Sequence, residues 1–274
     1  MGKLEGKVAL ITGGARGQGR SHAVGLAEEG ADIVVVDLCR QIDTVAYPMA
    51  APGDLRLTVE LVEALDRRIL AVEGDVRDLA TMRNLVDRTL AELGRLDIVL
   101  ANAGIMPTVG PYADRDEAFT DCVDVMLTGV FNTVRAAAPV LVEQGHGGSI
   151  VITSSTAGVR GLFTHQAAGS AGYAAAKHGV VGLMRVYANL LAPHHIRVNT
   201  VHPTGVNSPM ISNQVFADFA EEFPVVAGML QNPLPVPLIE CEDVTAAIRW
   251  LVSDDARYVT GACLPVDAGF LVRP

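Results

Sequence analysis

Short runs of apolar, largely β-branched residues recur along the chain, separated by longer stretches with helical spacing of apolar positions. The runs are Val8 to Ile11, Ile33 to Val36, Ile69 to Val72, Ile98 to Leu100, Ile150 to Ile152, Ile196 to Val201 and Cys263 to Val266. A short run without polar alternation reads as a strand buried on both faces. Such strands alternating with helices predict a parallel sheet with a helix on each crossover. The expected fold is therefore α/β: a doubly wound, seven-stranded parallel sheet with helices on both faces. No Ser/Gly/Pro-rich linker and no internal repeat breaks the alternation, so residues 1–274 are expected to form a single domain.

Two segments depart from the rhythm. Leu38 to about Gly53, with Tyr47-Pro48-Met49 and Pro52-Gly53, is an insertion where a strand-to-helix connection needs only about 2–6 residues. The stretch from His202 to about Ile239 is dense in Pro, Phe, Met and Val, as expected of an apolar flap over a substrate pocket at the strand ends.

Composition narrows the class. The 274 residues are half hydrophobic, with a net charge of −10 and a pI near 5.1. Such a chain can bury a large core but does not present a surface that neutralises phosphates, so nucleic acid is not an expected partner. The first residues reach only a short apolar run before Thr12, too short for a signal or a membrane span. A soluble, cytoplasmic protein is expected. Cys39, Cys122, Cys241 and Cys263 form no C-x-x-C pair, and the histidines show no ligand spacing, so reduced thiols and no metal are expected.

The first candidate site follows the first strand. Thr12-Gly13-Gly14-Ala15-Arg16-Gly17-Gln18-Gly19 leads into a stretch of helical composition from Ser21 to Glu29. Glycines there let the backbone turn sharply and let a pyrophosphate approach a helix N-terminus. Asp37 closes the second strand, where a carboxylate can accept both adenosine ribose hydroxyls and would repel a 2′-phosphate, favouring NAD over NADP. Arg16 and Arg40 lie close enough in sequence to greet a 2′-phosphate instead.

The second candidate is a tyrosine and a lysine. Lys3, Lys7 and Lys177 are the only lysines, and Lys177 follows Tyr173 by one helical turn, so phenol and ammonium share a face. A base for an alcohol proton must be partly ionised near neutral pH. For a phenol this requires lowering its pKa by ~3 units, or ~4 kcal/mol, which a cation at about 4 Å can supply. Ser154 and Ser155 follow the fifth strand; either could hold a substrate oxygen.

Taken in order, Thr12-Gly13-x-x-x-Gly17-x-Gly19, Gly74-Asp75-Val76, Asn102-Ala103-Gly104, Ser154-Ser155, Tyr173-x-x-x-Lys177 and His202-Pro203-x-x-Val206-x-Ser208 resemble the short-chain dehydrogenase/reductase family over the whole chain. Gly13 to His22, Val36 to Cys39, the Tyr-Pro-Met insertion and Tyr173 to Gly179 are most similar to its NAD-dependent, carveol-dehydrogenase-like group, coupled to the redox peptide mycofactocin. The resemblance implies a dehydrogenase of a secondary, apolar alcohol, with Ser155 preferred over Ser154 as catalytic serine and Tyr173 and Lys177 as its partners. It implies that Gly13, Arg16, Gly17, Gln18, Gly19, Asp37 and Leu38 bind NAD. Asp75 and Val76 would hold the adenine, Asn102, Ala103 and Gly104 the ribose side, and Val206 and Ser208 the carboxamide. Lys177 would bond the nicotinamide ribose beside Tyr173.

By the same likeness the insertion covers the adenosine end and slows NAD release, and a peptide-derived acceptor reoxidises the cofactor in place. A homotetramer is implied, with paired helices from Asp114 to Glu143 and Ala171 to Ala192. His165 to Ser170 would shape the substrate entrance. One departure is Met126, in Asp124-Val125-Met126-Leu127-Thr128-Gly129, where the family commonly has an Asn that holds a relay water. A 3-ketoacyl reductase, or a degenerate nucleotide-binding sensor, are the competing readings.

Overall fold

The computed structural model describes residues 2–161 and 167–273. Every apolar run forms a strand: β1 Val8–Thr12, β2 Asp32–Asp37, β3 Ile69–Glu73, β4 Ile98–Ala101, β5 Gly148–Thr153, β6 Ile196–Pro203 and β7 Cys263–Val266. They pair in parallel in the order β3-β2-β1-β4-β5-β6-β7. The chain leaves β1 toward β2 and returns to β4 on its other side. That reversal opens a crevice at the C-terminal ends of β1 and β4, where doubly wound sheets bind ligands.

Successive strand residues feed two cores. Ala9, Ile11, Ile33 and Val35 pack with α1 Gly17–Glu28, α2 Pro52–Glu63 and α9 Cys241–Val252 on one face. Leu10, Val34 and Val36 pack with α3 Leu79–Leu93, α5 Gly129–Gln144 and α6 Ala168–Leu191 on the other. Burial on both faces holds for the central strands; β3 and β7, at the sheet edges, are partly exposed. Pro265 is tolerated on β7 because an edge strand can spare a ladder donor.

Several boundaries differ from the sequence reading. Helix α1 starts at Gly17, before the expected Ser21, because the glycine turn supplies its own first helical residues. Pro52 and Gly53 open α2, where Asp54 accepts the Ala51 amide at 2.8 Å, so the irregular insertion ends at residue 51. His202 and Pro203 lie on β6, and the flap beyond them contains two helices, α7 Gln214–Glu222 and α8 Pro224–Met229. The expected helix over Asp114 to Glu143 begins as α4 Asp116–Val123 and is broken by a π-helical turn, Asp124–Thr128, before α5. The continuous stretch Asp116–Gln144 has the length and hydropathy of a membrane span, but 61% of its most apolar window is buried inside the fold, as befits a core helix.

Candidate active site

The crevice is built from three strand ends clamped together. Thr12 Oγ1 accepts the amides of Asn102 and Ala103, each at 3.0 Å. Asn102 Nδ2 donates to the Thr12 carbonyl at 3.1 Å, and Thr153 Oγ1 donates to Asn102 Oδ1 at 3.2 Å. The glycines are required here. Gly13 has φ +71°, and a Cβ on it would lie 2.8 Å from Ala103 Cα; a Cβ on Gly19 would lie 1.9 Å from the Gly13 carbonyl oxygen. Only without those side chains can the turn fold this tightly and expose the N-terminal amides of α1, which lack helical partners.

A cleft with about 910 Å³ of empty space runs along this turn. Gly13, Arg16, Gly17, Gln18, Gly19, Asp37, Leu38, Asp75, Val76, Asn102, Ala103, Gly104 and Ser208 all line it. Val206 lines instead an adjoining cleft of about 490 Å³, with Ser155, Tyr173 and Lys177. Gln18, Asn102, Gly104 and Ser208 face both, so the two clefts are continuous.

Asp37 accepts the Ala15 amide at 3.0 Å and the Cys39 amide at 3.3 Å. Burial raises its pKa against these hydrogen bonds and the nearby Arg16 charge. The two arginines offered as 2′-phosphate partners are engaged elsewhere: Arg16 Nη2 donates to the Pro48 carbonyl at 2.6 Å, and Arg40 Nη2 lies 3.5 Å from Asp75 Oδ2. Asp75 is gripped chiefly by Arg77, whose Nη2 lies at 2.7 Å. Burial pushes the Asp75 carboxyl up, but the Arg77 hydrogen bonds prevail and hold it below the usual range.

The serine pair resolves clearly. Ser154 also borders the adjoining cleft, but its buried Oγ donates to the Lys177 carbonyl at 2.9 Å. Ser155 Oγ accepts the Ala157 amide at 3.1 Å and is hydrogen-bonded to the Tyr173 side chain. Lys177 is buried on the same face of α6 as Tyr173, its Nζ 5.7 Å from the phenol ring centroid and donating to the Thr153 carbonyl at 2.8 Å.

The protein's own groups do not by themselves lower the Tyr173 pKa. Burial pushes the phenol up to about 12, opposed only by the Ser155 hydrogen bond. Burial pushes Lys177 down to about 8. The ammonium sits against the Thr153 carbonyl beside the ring, and desolvation is the largest influence on both groups.

Met126 is 1% exposed, and a Cβ on Gly104 would meet its Sδ at 3.5 Å and Lys177 Nζ at 3.7 Å. Its thioether therefore fills the space beside the lysine as a core side chain, a packing role that its sequence position did not reveal. His165 and Gln166 lie outside the described residues; Ser170, at the start of α6, is buried.

Several residues escaped the sequence reading. Thr58 Oγ1 lies 3.1 and 3.0 Å from the Gly14 and Ala15 carbonyls, and Arg20 Nη2 donates to the Ala15 carbonyl at 2.6 Å, bracing the glycine turn from α2 and α1. Within the insertion, Tyr47 is buried, and its hydroxyl accepts the Met106 amide at 3.1 Å. No local motif marks the Thr58 and Tyr47 contacts, because they join residues distant in sequence.

Residues 13–271 match a family described as enoyl-(acyl carrier protein) reductase. An uncharacterised oxidoreductase of Mycobacterium tuberculosis is 55% identical over 98% of this chain and 97% of its own. The (−)-trans-carveol dehydrogenase of Rhodococcus erythropolis is 48% identical over the whole of both chains. The solved structure of a carveol dehydrogenase from Mycobacterium avium in complex with NAD is similar with a TM-score of 0.92, at 46% identity and full coverage of both chains. The chain belongs to the short-chain dehydrogenase/reductase family. Like other enzymes of that family it is an oxidoreductase, and it is NAD-dependent. Its own residues fit that cofactor: the glycine turn leaves room only for backbone, Asp37 suits two ribose hydroxyls, and the buried Gln18 Oε1 at the junction of the clefts lacks a donor among the described residues.

Proposed function

We propose that the enzyme interconverts a secondary, apolar alcohol and its ketone, with Ser155, Tyr173 and Lys177 as its catalytic residues. The observation that carries this reading is the Ser155–Tyr173 hydrogen bond beside a buried Lys177, in a cleft walled by Ile105, Met106, Met126, Met210 and Ile211. Thioethers and aliphatic groups offer an adaptable apolar surface with few polar demands. Likeness to carveol dehydrogenases supports the same substrate class.

Bound NAD supplies the hydride acceptor. Ser155 donates a hydrogen bond to the substrate oxygen, and Tyr173 exchanges the hydroxyl proton with it. Forming phenolate and keeping ammonium in the same buried place offset one another. The ammonium, 5.7 Å from the centre of the ring, favours phenolate against the burial that raises the phenol's pKa. Asp37 disfavours the NADPH-dependent ketoacyl reductase reading.

The strap of residues 38–51 supports slow NAD release. Arg16 holds the Pro48 carbonyl, and Thr44 Oγ1 donates to Asp121 at 2.6 Å. A cofactor held this way would be reoxidised in place by an external, peptide-derived acceptor. Family likeness further supports a homotetramer, and free cysteines fit a cytoplasmic location.

Single-turnover reduction of NAD by a panel of secondary alcohols, (−)-trans-carveol included, tests the reading, with an artificial electron acceptor closing the cycle. Apolar cyclic alcohols should reduce NAD. Failure of the whole panel, or turnover only with NADP, would overturn it. Protein purified without added NAD should release the nucleotide on denaturation; its absence would remove the claim of slow release.

A further inference from the structure

His202 is fully buried at the end of β6, and both its ring nitrogens are engaged. Nδ1 lies 2.8 Å from the Ser155 carbonyl oxygen, and Nε2 lies 2.8 Å from Thr200 Oγ1. A carbonyl can only accept, so Nδ1 carries the proton; Nε2 then accepts from the Thr200 hydroxyl. Burial lowers the His202 pKa, and the nearby Lys177 charge acts in the same direction, which matches this neutral form.

The place of this contact in the fold gives it meaning. Strand β5 ends at Thr153, and the ladder continues only as far as the Ser154 amide on the Val201 carbonyl at 2.9 Å. Pro203 has no N–H with which β6 could extend it. Ser155 therefore stands beyond the sheet, as the N-cap of a short 3₁₀ turn over Thr156–Gly158 whose Gly158 amide reaches the Ser155 carbonyl at 2.9 Å. Without another tie, the Ser155–Thr156 peptide could swing and carry the hydroxyl away from Tyr173.

We propose that His202 is a positioning residue for the reaction: its Nδ1–H pins the Ser155 carbonyl and so aims the Ser155 hydroxyl at the substrate oxygen and Tyr173. The inference rests on the reading of Ser155 given above. The imidazole touches neither substrate nor cofactor. It acts through the serine backbone, whose carbonyl fixes the tautomer, and Thr200 holds the other ring nitrogen.

Two replacements of His202 separate this role from simple packing. Asn places an amide N–H near the position of Nδ1, whereas Gln reaches only the position of Nε2, toward Thr200. Both are neutral and hydrogen-bonding, so both should cost similar stability. With a reactive alcohol from the panel and acceptor in excess, His202→Asn should keep kcat within about threefold, whereas His202→Gln should lose at least about tenfold with NADH affinity unchanged. In a Ser155→Ala background, His202→Gln should cost nothing further in kcat, because the group it aims is gone. Equal kcat for the Asn and Gln variants, or a full Gln penalty without the Ser155 hydroxyl, would overturn the role of His202 while leaving Ser155 intact. If Ser155→Ala alone retains wild-type turnover, the reading of Ser155 fails and the proposal fails with it.

Discussion

The Tyr47 hydroxyl and the Met106 amide meet at 3.1 Å, tying the insertion after β2 to the loop after β4. Tyr47 lines the cleft along the glycine turn and Met106 the cleft around Tyr173, so one hydrogen bond joins the walls of both.

Tyr47→Phe removes the acceptor and leaves the buried Met106 N–H unpaired. We expect a loss of about 1–3 kcal/mol in urea unfolding, with faster NAD dissociation measured by chase with a fluorescent analogue. Unchanged dissociation would show that the strap does not retain the cofactor.

Tyr173→Phe keeps the ring and removes the proton carrier. Turnover should fall by roughly 10²–10⁴-fold while NADH affinity, followed by fluorescence, stays within a few fold. A variant with near-normal turnover would remove Tyr173 from the reaction.

Lys177 makes stability depend on pH with a defined sign. Its pKa falls from 10.5 to about 8 on folding, so between those values the unfolded chain binds more protons and the lysine's contribution rises with pH. Below about 8 the penalty is complete. The unfolding free energy of wild type minus that of Lys177→Met should therefore rise by about 3 kcal/mol between pH 7.5 and 10.5. Using the difference cancels the buried Cys39 and Cys241 thiols, whose raised pKa values act oppositely above pH 9; Cys122, which feels the Lys177 charge, is replaced by Ser in both proteins. A flat difference would mean that Lys177 is better solvated than its surroundings indicate.

Asp37→Ser takes away the charged acceptor while keeping a short polar group. NAD affinity should weaken by about 1.5–3 kcal/mol, and the ratio of kcat/KM for NAD over NADP should narrow. Comparing the two cofactors on both proteins checks this, and an unchanged ratio would assign the preference elsewhere.

Met126→Asn puts an amide where a thioether packs against Gly104. Turnover per folded molecule should stay the same or rise, whereas stability should drop by about 1–3 kcal/mol. Thermal unfolding and active-site titration separate the two effects.

The strands were legible because a buried parallel strand has to be apolar throughout, and Val8 to Ile11 or Ile33 to Val36 can be little else. Gly13, Gly17, Gly19 and Asp37 were legible because backbone geometry and charge tie them to a fixed spacing. Thr58 was not, nor were the partners of Tyr47 and His202, since each works through a contact made only when distant elements meet. The ionisation of Tyr173 was not legible for a related reason: helical spacing shows that Lys177 shares its face, but not that the ammonium leans on the Thr153 carbonyl or that burial shifts both groups away from ionisation.

The π-helical turn at Asp124–Thr128 has a consequence for how the chain tolerates change in length. It holds one residue more than a regular helix needs. Deleting one residue there would let α4 and α5 run on as an unbroken helix with both outer faces in their old orientation, whereas a deletion elsewhere in either helix would rotate everything beyond it by about 100°. The floor beneath Gly104 can thus be rebuilt independently of the framework that carries it.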